Sequence, residues 1–140
     1  MFASLDISGS ALTAQRMRLD TISGNIANIS TTHNERGEPE PYKPRYVVFQ
    51  ADTANATRYG AMGVKVASVE VEDVEPLYKF EPNNPLAIQE GPRKGYVAYP
   101  NLNLTAEFVD ALEATRAYEA NVGVIESTKN MAAQTLRILG

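Results

Sequence analysis

The sequence predicts an α+β fold in which long N- and C-terminal helices pack as an antiparallel, coiled-coil-like pair and carry a small β-rich middle domain. Three observations predict it. Of the 8 prolines in 140 residues, seven lie between Pro39 and Pro92 and the last is Pro100, so neither end holds the residue that interrupts a helix. Apolar residues in both ends recur with a helical period, and the middle holds β-branched and aromatic runs separated by Pro- and Gly-rich loops. The expected organisation is a terminal helix within 1–30, a middle domain over 31–103 and a second terminal helix within 104–140.

In the first segment Leu5, Leu12, Leu19 and Ile26 recur every seven residues, with Ile22 and Ile29 at the offset of three. The pattern predicts one amphipathic helix over 4–29, roughly 40 Å long at the α-helical rise. Gly24 weakens it by about 1 kcal/mol relative to Ala. Residues 34–44 hold Gly37, Pro39, Pro41 and Pro44 and read as a loop. Tyr46 to Phe49 and Val64 to Glu72 read as strands, Tyr96 to Tyr99 as a third, and together they predict one small sheet.

The last segment is the most regular. Steps of four and three from Leu104 reach Phe108, Ala111, Thr115, Tyr118, Val122, Ile125, Lys129, Ala132, Leu136 and Leu139, and only Thr115 and Lys129 break the apolar seam. Asn103 is the expected N-cap, and Glu107 near the start and Arg137 in the last turn suit the helix dipole. A helix over 104–139 is roughly 54 Å long, well beyond the usual globular length.

Composition narrows the chemistry. The chain has no Cys and a single His, which removes disulfides, thiolate metal sites, cysteine nucleophiles and a triad with a spare imidazole. A net charge of -4 with scattered Lys and Arg disfavours nucleic acid and anionic membranes as partners. No run is apolar enough to span a bilayer as a helix, and Met1 to Ile7 lacks the basic start of a cleaved secretory signal. Glu70, Glu72, Asp73 and Glu75 alternate with valines and read as the solvated face of a strand, not a catalytic carboxylate pair. Gly91 to Gly95 lacks phosphate-loop spacing, and His33 has no second imidazole. No catalytic or metal site and no cofactor is expected.

The terminal stripes remain. They close the core of a single hairpin, or they form a surface for assembly. The second reading is favoured by Val109, Leu112, Val124, Met131 and Ile138, which widen the apolar belt beyond what one partner covers.

Ser10-Ala11-Leu12-Thr13-Ala14-Gln15, followed by Asn25-Ile26-Ala27-Asn28, resembles the N-terminal signature of the axial proteins of the bacterial flagellum, the rod and hook family. Gly63 to Ala67, Glu81 to Ala87, Lys94 to Val97, Pro100-Asn101 and Arg116 to Val122 extend the resemblance along nearly the whole chain, most closely to the short proximal rod members. Two departures stand out: Gly24 precedes Asn25 where many relatives have a second Asn, and Thr32-His33-Asn34-Glu35 replaces the family's Thr-x-Gly-aromatic ending. The resemblance implies a non-enzymatic subunit of the proximal rod, exported through the flagellar type III apparatus without a cleaved signal. Such a subunit assembles with its own copies and neighbouring rod proteins in the periplasmic space, transmits motor torque, lines the export channel and is needed for motility. It implies no small-molecule substrate, cofactor or nucleic acid. The expected assembly residues are Leu5, Leu12, Leu19, Ile22, Asn25, Ile26, Asn28, Ile29, Phe108, Tyr118, Val122, Ile125, Ala132, Leu136 and Leu139. The alternative from a different class is a soluble coiled-coil adaptor.

Overall fold

A computed structural model describes residues 2–140. Helix α1 spans Phe2–Ala27 and helix α2 spans Leu104–Leu139; between them lie β1 (Arg45–Asp52), a short 3-10 turn (Thr53–Asn55), β2 (Gly63–Val71), β3 (Leu77–Phe80) and β4 (Tyr96–Tyr99). The helices run antiparallel: Asn25 near the end of α1 meets Glu107 in the first turn of α2, and Arg18 reaches on to Asp110 and Glu113.

Both ends of α2 fall where the sequence places them. The Asn103 side chain accepts from the Ala106 N–H at 3.2 Å, satisfying one of the first-turn donors. Helix α1 begins and ends two residues before the expected bounds. Its last turn is closed by Asn28, whose side-chain amide donates to the Gly24 carbonyl at 2.9 Å while Thr31 Oγ1 donates to Asn28 Oδ1. Ile29 therefore lies just outside the helix.

The stripe that α2 turns toward α1 differs from the expected one. Ala114 and Thr128 are buried, with Glu107 and Asn121 partly buried at the same seven-residue spacing, whereas Thr115 and Lys129 are exposed. On α1 the buried residues are Ser8, Ala14, Ile22 and Asn25. Many of the large apolar side chains of α2 are left exposed. By the 25-to-107 register, α2 also outruns the start of α1 by roughly nine residues. The overhang holds Met131, Leu136, Ile138 and Leu139.

The middle corrects the single-sheet expectation: it contains two antiparallel ribbons, β1–β2 and β3–β4. The strand β3 lies outside the expected set. In the first ribbon the register shifts between Val48 and Phe49, which pair with Ser68 and Val66 and leave Ala67 as an extra residue. This bulge puts Val64, Val66, Val69 and Val71 on one face although their spacing changes phase, with Val47 and Phe49 opposite them. Glu70 lies on the other face, where Tyr46 donates to it at 3.0 Å, as expected of a solvated side.

Two polar contacts hold this ribbon along α1. Ser10 Oγ accepts from the Val64 N–H at 3.1 Å and donates to the Ile7 carbonyl at 2.6 Å. A methyl group on Gly63 would sit 2.6 Å from that Oγ, so glycine permits the approach. At the other end Asn25 holds Arg45. Fifteen helical residues rise about 22 Å, and the six strand steps from Arg45 to Ala51, the partner of Val64, about 20 Å, so the two attachments match in span. In the second ribbon Phe80 pairs with Tyr96, their ring centroids 5.1 Å apart, and Val97 is fully buried.

Candidate assembly interface

The expected assembly residues divide into three groups. Ile22 and Asn25 are buried inside the chain itself. Leu5, Leu12, Leu19, Ile26, Asn28, Ile29, Val122, Ile125 and Ala132 are half-buried. Phe108, Tyr118, Leu136 and Leu139 are exposed, Phe108 at 56%, Leu136 at 69% and Leu139 at 80%. Val109, Leu112, Met131 and Ile138 are exposed as well, so α1 leaves large apolar side chains of α2 uncovered both along its outer side and on the overhang.

Asn25 sits where α1 meets β1 and the start of α2, and it is 2% exposed. Its Oδ1 accepts from the Tyr42 hydroxyl at 2.8 Å and from the Arg45 N–H at 2.9 Å. Its Nδ2 donates to the Arg45 carbonyl at 2.8 Å and to Glu107 Oε2 at 3.3 Å. One amide thus pairs both backbone groups at the start of β1 and ties them to both helices. An asparagine fits because the site needs an acceptor on one side and a two-hydrogen donor on the other. Asn25 belongs to the recognised signature, but Tyr42, Arg45 and Glu107 were missed as its partners. They are remote in sequence, and the only local hint was a polar residue among the isoleucines at 22, 26 and 29.

Electrostatics reinforce the junction. Burial pushes the Glu107 carboxyl above its ordinary range, with Asp110 and Glu72 adding to the effect and the Asn25 hydrogen bond opposing it. Burial also raises the Tyr42 hydroxyl. Arg18 stands 3.8 Å from Asp110 and 3.5 Å from Glu113, supplying positive charge beside this acidic start of α2. A cavity of about 230 Å³ lies here, lined by Arg18, Ile22, Asn25, Phe49, Glu107 and Asp110 among others.

The remaining polar clusters are structural. Lys43 and Asp73 form an exposed pair at 2.6 Å that raises the amine and lowers the carboxyl, a contribution of little weight in solvent. Hydrogen bonds from Asn84 and Tyr99 lower the Glu81 carboxyl. Gly91 to Gly95 is a turn with both glycines at positive φ, and the Arg93 guanidinium lies 3.6 Å from the centre of the Tyr78 ring. His33 Nδ1 pairs with Thr32 Oγ1 at 2.7 Å. Among the described residues no group of three or more metal-ligating side chains converges, and no helix is long and apolar enough to cross a membrane.

Known proteins match both the ends and the whole. Residues 5–33 match the family described as "Flagella basal body rod protein", and residues 93–138 match "Flagellar basal body rod FlgEFG protein C-terminal". Over its full span the chain is similar to the flagellar basal-body rod protein FlgC of Borreliella burgdorferi, 42% identical across 99% of this chain and 97% of that one. It is 41% identical to FlgC of Escherichia coli O6:H1 across 95% and 93% of the two chains. For FlgC of Bacillus subtilis the identity is 38%, across 98% and 97%. These relatives are structural proteins of the rod and not enzymes. With a polar junction, an uncovered apolar helix surface and this degree of identity over nearly its whole length, the chain belongs to the FlgC family of flagellar basal-body rod proteins.

Proposed function

We propose that this rod subunit assembles through the uncovered apolar surface of its helix pair, packing against further copies of itself and against neighbouring rod proteins in the periplasmic part of the basal body. The observation that carries the reading is the exposed side of α2 together with its overhang. Ile138 is 84% exposed and Leu139 80%, which is costly in water and favourable once a neighbour removes that area from solvent. The half-buried residues Leu5, Leu12, Leu19, Ile26, Val122, Ile125 and Ala132 border that surface, and Asn28 and Ile29 lie at its junction end. Ile22 and Asn25 act from inside the subunit.

Packed side by side, such helix pairs build a tube wall whose bore is an export channel and whose stiffness carries torque. The β ribbons stay outside the helix layer and meet neighbouring subunits laterally. Delivery through the flagellar type III apparatus suits a chain with no Cys to cross-link and a core made largely of small residues, which is readily unfolded and refolded. The direct test is mass spectrometry of purified basal bodies from the source bacterium and from a strain lacking the gene. The chain is expected in the first, with the rod and motility lost in the second. Basal bodies without the chain, in motile cells, would contradict the proposal.

A further inference from the structure

Each helix and the first ribbon meet at one side chain. Asn25 is carried by α1, pairs both backbone groups of Arg45 at the start of β1, accepts from Tyr42 in the preceding loop and donates to Glu107 on α2. No salt bridge connects α2 to β1 among the described residues, and Arg18, the other charged link between the helices, is committed to Asp110 and Glu113. We infer that Asn25 and Glu107 form a positioning latch that sets the bearing of α2, and so of its apolar surface, relative to the β1–β2 ribbon. This rests on the assembly reading above and deepens it: subunits in a regular wall must present the helix surface and the outer ribbons at one fixed angle.

The geometry favours a latch over a simple fastening. Hydrogen bonds are directional, so four of them on one planar amide fix the orientation of the attached elements as well as their distance. Below this point the buried residues of the helix pair include Ser8, Ile22, Ala114 and Thr128, and packing of this kind has no direction of its own. Ser10 fixes the far end of the ribbon to α1 and makes no link to α2. The bearing of α2 is therefore decided at the Glu107 end.

The experiment replaces the chromosomal gene with variants carrying Asn25→Asp, Glu107→Gln, or both, and measures chain per purified basal body, chain per cell and swimming. Asn25→Asp keeps the acceptor for the Tyr42 hydroxyl and the Arg45 N–H but sets a carboxylate oxygen, where the donating amide stood, against both the Arg45 carbonyl and Glu107 Oε2. Incorporation is expected to fall at least about tenfold. Glu107→Gln alone keeps an acceptor facing Asn25 and serves as the reference for the pair. In the double variant the side-chain amide introduced on α2 can donate to the carboxylate introduced on α1 while the Arg45 carbonyl stays without its donor, so incorporation is expected to rise at least about threefold above Asn25→Asp without reaching that reference. A role confined to fastening β1 on α1 would gain nothing from a change on α2.

Normal incorporation of Asn25→Asp, or a double variant no better than Asn25→Asp whether the chain is degraded or merely left out, overturns the latch. Recovery in the double variant supports it. Leu136→Asp, remote from the latch, runs alongside. Normal rods from that strain would count against the assembly surface and leave the Asn25–Glu107 coupling to be judged on its own result.

Discussion

Asn25 stands among isoleucines on α1, and its value lies in being polar: an apolar residue there would leave the Arg45 N–H and carbonyl and the Tyr42 hydroxyl without partners. Glu107 is the weaker half of the junction, because burial and two neighbouring carboxylates disfavour its charge. Its folded-state pKa is raised above the unfolded value, so its contribution is full below the ordinary carboxylate range and is lost as pH rises through the raised value. Glu107→Gln removes that loss while keeping an acceptor for Asn25. Thermal unfolding of the purified chain should therefore favour the Glu107→Gln variant over the parent more at about pH 7 than at about pH 4. The gain should be under about 1 kcal/mol, since the carboxylate is only partly buried and keeps some contact with solvent. A larger advantage at acid pH would mean that Glu107 is stabilised as the anion.

At the scale of elements, the helix contact depends on small residues at particular positions. Ala114 is fully buried, and Thr115 beside it is exposed. Ala114→Leu should cost about 2 kcal/mol or more by forcing the helices apart, whereas Thr115→Leu should change stability by less than about 0.5 kcal/mol. Denaturant unfolding of the two variants measures the difference, and equal costs would place the contact elsewhere on α2. The sequence made the helices legible because proline is absent from both ends and the apolar period is clear. The facing stripe was not legible, because a period records that side chains leave water but not which neighbour covers them. Phe108 and Tyr118 followed the period and are still exposed, and Leu136 is exposed because α1 does not reach it. In the middle, Leu77–Phe80 is too short and too close to Pro76 and Pro82 to announce a strand; its pairing depends on Tyr96–Tyr99, far along the chain. The bulge at Ala67 did leave a trace, since the valines switch from even to odd positions there. Of the candidate site, the exposed apolar residues and Asn25 were readable, but the partners of Asn25 come together only through the fold.

At the scale of the whole molecule, a modest internal contact coexists with a broad external one. The buried residues of the two helices are Ser8, Ala14, Ile22, Asn25, Ala114 and Thr128, while leucine, isoleucine, methionine and phenylalanine also stand exposed on α2 and along its overhang. This distribution suits a subunit completed by its neighbours: burial of the outer residues offsets the cost of ordering the helix ends. In the proposed assembly these outer residues drive packing between subunits without being needed for the fold of the single chain. The most direct measurement is the amount of chain in basal bodies purified from a strain carrying Leu136→Asp with Leu139→Asp, set against the amount in the cell. The two positions are 69% and 80% exposed, so the variant should accumulate normally, be absent from basal bodies and leave the cells non-motile. Rods of normal length containing the double variant would contradict the account.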